Sequence, residues 1–413
     1  MSARGHVLTI VIPALNEEEA IGSTVQRCLD ARATIIAESG VEAVEIIVVS
    51  DGSTDRTEEI AKSFDDVTVL VFEKNRGYGA AIQMGFAHGK GDLVAFLDAD
   101  GTCDPLLFAT MCRAIDEQRA DVVLGSRMGK DSQMPLVRAI GNTIFAWILG
   151  ILSRRRVADT ASGMRVLRRS ALESLNPLPD GLHFTPAMSA RILMEDKLRL
   201  VELPMPYAER VGRSKLSVVK DGVRFLTCIV QAAVAHRPAR PLLLVGGVAA
   251  LASLVFAWLP VSFYASHGRI EEWMIYRLLM ASLLATVAGL IVSAAVVAER
   301  MAALAHGRAT RDAGPTAFAA RVLRRPQGWW LALALCAVAG VVVWPGVLEY
   351  FTSGHVTMHW SRAALASLLV LLAVALAVSA FLLDMLDLIA RQRAGLSHLR
   401  PPDRVWSAGS PRR

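Results

Sequence analysis

Two hydrophobic rhythms divide the chain. Up to about residue 240, apolar runs of five to seven residues alternate with longer amphipathic stretches, and beyond it the apolar runs are long and uncharged. In the first part, Val7–Pro13, Val44–Val49, Val67–Phe72, Leu93–Leu97 and Asp121–Gly125 read as strands rich in Val, Ile and Leu. Between them the pattern predicts four helices. One runs from Asn16 to about Ser39, with Glu17, Glu18 and Glu19 in the first turn, where the helix dipole favours acids. A second leaves the Ser50–Asp55 turn, with Asp55 as its cap, and runs to Phe64. The others cover Gly77–Gly89 and the stretch after Pro105. Apolar strands alternating with helices predict a mostly parallel sheet covered on both faces, with ligands beyond the carboxyl ends of its strands.

The second part holds four uncharged runs, Leu242–Ala265, Leu278–Ala298, Pro326–Leu348 and Ala363–Leu383, each 21 to 24 residues long. That length crosses a hydrocarbon core of roughly 30 Å. A membrane domain therefore follows the α/β domain, and with 53% apolar residues in 413 the whole chain is too hydrophobic for an ordinary soluble protein. Arg300, Arg308, Arg311, Arg321, Arg324 and Arg325 lie between the second and third runs, and Arg391, Arg393, Arg400, Arg404, Arg412 and Arg413 follow the fourth. The other two connections, around Ser266–Trp273 and Glu349–Trp360, are nearly free of basic residues apart from Arg269. This asymmetry predicts both termini and the first domain on the cytoplasmic side. Met1–His6 leads into the Val7 strand without the pattern of a leader, so insertion is expected to fall to the later spans. The expected divisions are 1–215 for a catalytic domain, 216–240 for a juxtamembrane helix, 241–390 for four spans and 391–413 for a basic tail.

Charge and cysteine content narrow the classes. The net charge of +6 is carried mostly by Arg flanking the spans, where anionic lipid attracts it, so no nucleic-acid partner is implied. Cys28, Cys103, Cys112, Cys228 and Cys336 form neither a CxxC pair nor a metal spacing, and read as reduced thiols.

Three polar motifs fall where strands end: Pro13–Glu17, Ser50–Asp55 and Asp98-Ala99-Asp100. The last is the most specific. Two carboxylates two residues apart at the end of a buried strand must face a cation or a cleft. Oxygen ligands of this kind suit Mg²⁺ or Mn²⁺ shared with a substrate phosphate. There is neither a GxGxxG after the first strand nor a GxxxxGK[ST], which argues against a common dinucleotide fold and a P-loop.

Taken together, Val11–Glu17, Ser50–Asp55, Asn75-Arg76-Gly77 and Leu97–Asp100 resemble the GT-A glycosyltransferases of family 2. Asp159–Arg165 and Arg210–Lys215 are similar to the polyprenyl-phosphate branch, which includes dolichyl-phosphate mannose synthases and bacterial polyprenyl-phosphate glucosyltransferases. The resemblance covers about residues 6 to 220. It departs at Ser50, where many members carry an acid, and at Gly101–Pro105, where mannose synthases often show a Gln-containing turn.

The resemblance implies a Rossmann-like GT-A domain and an inverting, metal-dependent transfer of a hexose from GDP-mannose or UDP-glucose to a polyprenyl or dolichyl phosphate. Asp51, Pro13, Asn16 and Glu17 would then bind the donor's base and ribose, and Asp98 and Asp100 the ribose and the Mg²⁺ or Mn²⁺. Because a phosphate oxygen is already anionic, no strong general base is needed. Arginines and a lysine would instead receive the acceptor phosphate. Arg127, Arg210, Ser214 and Lys215 are the candidates, with Asp159 placing acceptor or sugar. Leu136–Leu152 and Leu216–Ala235, apolar with basic flanks, are expected to lie on the cytoplasmic leaflet. Two other readings stay open: a family 2 enzyme with another membrane acceptor, and a lipid carrier regulated by a nucleotide-sugar domain. A processive synthase is disfavoured because no QxxRW motif is present. A homo-oligomer is compatible with the chain.

Overall fold

The computed structural model describes residues 5–129, 132–208, 217–306, 315–323 and 326–398. The chain divides into two compact units, residues 1–236 and 237–413.

The first unit is built on seven strands: β1 (His6–Ala14), β2 (Val41–Asp51), β3 (Thr68–Phe72), β4 (Leu93–Phe96), β5 (Val122–Ser126), β6 (Arg165–Arg168) and β7 (Leu200–Pro204). They lie in the order β3-β2-β1-β4-β6-β5-β7, with β6 alone running against its neighbours. This is the mostly parallel α/β sheet the strand pattern implied. Eight helices accompany it: α1 (Ile21–Ser39), α2 (Thr57–Lys62), α3 (Tyr78–His88), α4 (Leu107–Glu117), α5 (Leu136–Ser153), α6 (Arg169–Leu175), α7 (Phe184–Met194) and α8 (Val218–His236).

Burial explains the strand composition. Leu8, Ile10 and Ile12 of β1 pack with Val25, Cys28 and Ile35 of α1 on one face. Val11 of the same strand packs with Ile82 and Phe86 of α3 on the other. With both faces covered, apolar residues occupy consecutive positions, as in Ile10, Val11 and Ile12, rather than alternate ones. A third cluster joins Leu149 and Leu152 of α5, Ala190 and Leu193 of α7, and Ile229 and Ala233 of α8. That packing fastens α5 and α8 to the sheet domain, which therefore extends to His236.

Two local expectations are corrected. The first helix begins at Ile21, not at Asn16. Asn16 adopts φ 48° and accepts the Thr54 N–H at 2.8 Å, so the three acids form a turn ahead of the helix rather than its first turn. The strand expected over Leu93–Leu97 stops one residue earlier, at Phe96, and both acids lie in the turn beyond it.

The second unit is helical: α9 (Ala239–His267), the short 3₁₀ turn Glu272–Met274, α10 (Ile275–Ala305), α11 (Pro315–Leu323), α12 (Gln327–Ser353) and α13 (Trp360–His398). Four of these helices contain the uncharged runs and are long and apolar enough to cross a membrane. By length and composition α5 is a fifth, yet it is an integral part of the sheet domain's third cluster. Within the helical unit α9 pairs with α10, α12 with α13, and α10 with α13. Ser253 Oγ donates to the Ala281 carbonyl at 2.7 Å, tying α9 to α10. Arg300 donates to Asp387 through Nε at 3.0 Å and Nη2 at 2.5 Å, tying α10 to α13. These charges sit just past the uncharged runs, on helices that continue beyond them.

Candidate active site

The carboxyl ends of β1, β2, β4, β5 and β7 share one edge, and the antiparallel β6 brings its leading loop, residues 158–164, to the same place. A cleft of about 530 Å³ opens there. Its wall contains Pro13, Leu15, Glu17, Asp51 and Asn75 at one end, Asp98, Asp100 and Arg127 in the middle, and α5 and α8 at the other.

Asp51 is buried, and each carboxylate oxygen accepts a backbone N–H: Arg76 at 2.7 Å and Gly77 at 2.9 Å. Gly77 has φ 109°, which side chains rarely adopt, and a Cβ there would strike the Asp180 carbonyl. Asn16 faces the neighbouring turn and joins it by hydrogen bonds with Ser53 and Thr54. Asp55 accepts from Thr57 N–H at 3.0 Å and from its hydroxyl at 2.5 Å, bracing the turn into α2, although Arg56 and not the expected Asp55 holds the cap position.

Asp98 and Asp100 both face the cleft from the turn after β4. Tyr78 Oη donates to Asp98 Oδ1 at 2.6 Å, and a Cβ on Gly163 would collide with the other side of that carboxylate. Burial, with Asp98 alongside, pushes the Tyr78 phenol well above its ordinary value, so it remains a donor. Asp100 Oδ1 receives the Thr102 hydroxyl at 2.6 Å and N–H at 3.2 Å. Among the described residues no three His, Cys, Asp or Glu side chains cluster as a metal cage. Two carboxylates at a cleft fit a hard cation whose remaining ligands are water and substrate phosphate.

Arg127 follows β5 and meets Asp159 through a fork: Nε to Oδ2 at 2.7 Å and Nη2 to Oδ1 at 2.8 Å. Its backbone N–H adds a bond to Oδ2 at 3.0 Å. Asp159 is fully buried, and its partners Arg127 and Ala161 line the cleft. Burial alone would raise its carboxyl, but the guanidinium and the N–H groups of Arg127 and Ala161 hold it below the ordinary range. The same pairing outweighs burial at Arg127 and raises it. Tyr207, which follows β7, lies under the guanidinium at 5.5 Å. Behind them Arg165 is fully buried and bonds the carbonyls of Thr160 and Ser162 and the Ser189 hydroxyl. It fixes the loop that carries Asp159 and Gly163, and burial lowers its guanidinium to about 10.

Arg210, Ser214 and Lys215 lie outside the described residues. Arg138 and Arg224 line the cleft from α5 and α8, beside Gly141, Phe145, Gly222 and Phe225. These, with Tyr78 and Tyr207, were missed by the sequence reading. Only Tyr78 had a signal, since it directly follows Asn75-Arg76-Gly77.

The family model for glycosyl transferase family 2 matches residues 9–175, from β1 through α6. A dolichyl-phosphate hexose transferase of Haloferax volcanii is 30% identical over 56% of this chain and 95% of its own length. The chain belongs to glycosyl transferase family 2. This family 2 glycosyltransferase is also 30% identical to the low-salt glycan biosynthesis hexosyltransferase Agl6 of the same organism, over 61% of this chain and 59% of that protein. Undecaprenyl-phosphate 4-deoxy-4-formamido-L-arabinose transferase of Edwardsiella ictaluri is 27% identical over 64% and 79%. The chain thus spans little more than half of Agl6 and nearly all of the hexose transferase. Among solved structures, Mycobacterium tuberculosis glucosyl-3-phosphoglycerate synthase is 22% identical over 56% of this chain and 80% of that one, with a TM-score of 0.41.

Proposed function

We propose that this enzyme transfers a hexose, with inversion, from a nucleotide-sugar to a polyprenyl phosphate at the cytoplasmic leaflet. One observation carries the reading: a single cleft joins an acid pair to apolar helix walls that hold arginines. The polyprenyl-phosphate and dolichyl-phosphate names of the relatives support the acceptor class.

The donor's nucleoside would occupy the end lined by Pro13, Glu17, Asp51 and Asn75. Asp98 and Asp100 would hold Mg²⁺ or Mn²⁺, which when bound neutralises the charge gathering on the departing diphosphate. The acceptor phosphate would approach from the α5–α8 end, where Arg138, Arg224 and Arg127 offer positive charge; Arg210, Ser214 and Lys215 are proposed to join them. Asp159 acts through Arg127, fixing its guanidinium plane. Inversion follows from one direct displacement by an oxygen that needs no base.

The apolar stripes support a lipid acceptor. On α5, Leu136, Ile140, Ile144, Trp147 and Ile151 are exposed, and on α8 so are Val219, Val223, Leu226 and Val230. Both sets recur every three or four residues along one face, as on helices that lie in a membrane interface.

The deciding experiment gives full-length protein in detergent Mn²⁺, labelled UDP- or GDP-hexoses, and undecaprenyl or dolichyl phosphate. Label in the lipid fraction, lost on chelation and in Asp100→Asn, is expected. Nucleotide release without lipid labelling would overturn the acceptor, and turnover indifferent to chelator would overturn the metal.

A further inference from the structure

The acid pair is not steadied by its own strand, because Asp98 lies beyond the end of β4. A carboxylate on a turn keeps torsional freedom unless neighbours remove it. At Asp98 the Tyr78 hydroxyl binds Oδ1 at 2.6 Å and Gly163 closes the opposite flank. Tyr78 is itself the first residue of α3, so its position depends on the turn before it. Asp51 grips that turn through the N–H groups of Arg76 and Gly77. The Asp180 carbonyl, accepting from Gly79 at 2.6 Å and Ala80 at 3.1 Å, fixes the helix start from the other side. Phe184 meets the Tyr78 ring edge-on, with centroids 6.4 Å apart. A continuous set of short contacts therefore runs from the end of β2, through the phenol, to the acid turn after β4.

From this geometry we propose that Tyr78 is a positioning residue. It holds Asp98 in the orientation in which Asp98 and Asp100 share a divalent cation with the donor diphosphate, and Asp51 sets Tyr78 by gripping residues 76 and 77. The proposal rests on the glycosyl-transfer reading above. A hydroxyl on a carboxylate is a short, charge-assisted contact, and losing such an outer partner typically weakens metal affinity by about 10–100-fold. Tyr78→Phe removes only the hydroxyl and keeps the ring against Phe184.

The test titrates Mn²⁺ into full-length protein in detergent with UDP present, reading free Mn²⁺ by electron paramagnetic resonance. Tyr78→Phe is expected to bind Mn²⁺ about 10–100-fold more weakly, with the half-saturating concentration of lipid acceptor unchanged. Because Tyr78 acts through Asp98, the same change in an Asp98→Asn background should add little. Wild-type Mn²⁺ affinity in Tyr78→Phe would overturn the proposal, as would an equal loss in both backgrounds. If Tyr78→Phe does not fold, Gly163→Ala, which presses on the same carboxylate from its other side, carries the same expectation and the same refutation. Failure of the wild-type protein to take up Mn²⁺ with UDP would instead bring down the metal-dependent transfer reading, and this inference with it.

Discussion

The Arg127 guanidinium and the fully buried Asp159 carboxylate face each other in a fork, with N···O distances of 2.7 and 2.8 Å. The pairing fixes the guanidinium plane before any ligand arrives. Asp159→Asn leaves the guanidinium with a neutral partner, and breaking a buried pair from one side typically costs ~3–5 kcal/mol. The variant is expected to melt correspondingly earlier and to lose transfer activity. The Asp159 carboxyl titrates below its ordinary 3.8, so its contribution is present above that value and is lost as pH falls through the folded pKa. Thermal melting between pH 3 and 6 should therefore show a shallower acid limb in Asp159→Asn than in the wild-type protein.

Gly77 is held at φ 109° between the Asp51 carboxylate and the Asp180 carbonyl. Gly77→Ala places a Cβ against that carbonyl in a backbone region that costs on the order of 1–3 kcal/mol for a side chain. Destabilisation of at least that size is expected in denaturant unfolding. Weaker UDP binding should accompany it, because the displaced turn forms part of the cleft. Normal stability would mean that the turn relaxes freely.

Much of this was legible in the sequence because strands and spans are composition effects. The core strands β1, β2 and β4 hold apolar runs such as Ile46–Val49 and Leu93–Phe96, so they stand out between polar turns, and uncharged runs of 21 residues or more have few soluble explanations. The acid pair was legible for the same reason: Asp98 and Asp100 interrupt an apolar run. What escaped depends on pairs distant in the chain. Tyr78 reaches Asp98 across 20 residues and Arg127 reaches Asp159 across 32. Arg138 and Arg224 converge on the cleft only through the packing of α5 and α8. The false start of the first helix has a local cause, since three acids after Asn16 resemble a helix's first turn unless the left-handed backbone at Asn16 is known.

On α5 the exposed stripe of Leu136, Ile140, Ile144 and Trp147 lies apart from the residues of that helix buried in the third cluster. A charge there leaves the fold intact and opposes seating in a lipid interface, at up to about 2.5–3.5 kcal/mol at the bilayer centre and about 0–1 kcal/mol near its surface. Ile144→Glu is expected to raise the half-saturating concentration of a long-chain polyprenyl phosphate by roughly 10-fold, since 1.4 kcal/mol is a factor of ten. A short, water-soluble prenyl phosphate should be used almost as well as before. Equal loss with both acceptors would argue that the helix serves the cleft and not the lipid.

At the opposite edge of the sheet, His6 on β1 is clasped between two carboxylates. Nδ1 meets Asp92, and Nε2 lies 3.2 Å from Asp116, which also accepts Arg168 Nη2 at 2.7 Å. Burial works against protonating the ring, but the two acids outweigh it and raise the imidazole above its ordinary 6.5. A group whose folded value is raised contributes fully below the unfolded value and loses that contribution as pH climbs through the folded one. The clasp should therefore hold β1 to β4 and α4 at pH 6 and weaken steadily above 6.5. The melting temperature of the full-length protein is expected to fall from pH 6 to pH 9 by more than that of His6→Asn, which can bond Asp92 but carries no charge. The histidine is remote from the cleft, so transfer activity at pH 6 should match wild type. Parallel pH profiles of melting for the two proteins would show that the clasp contributes nothing.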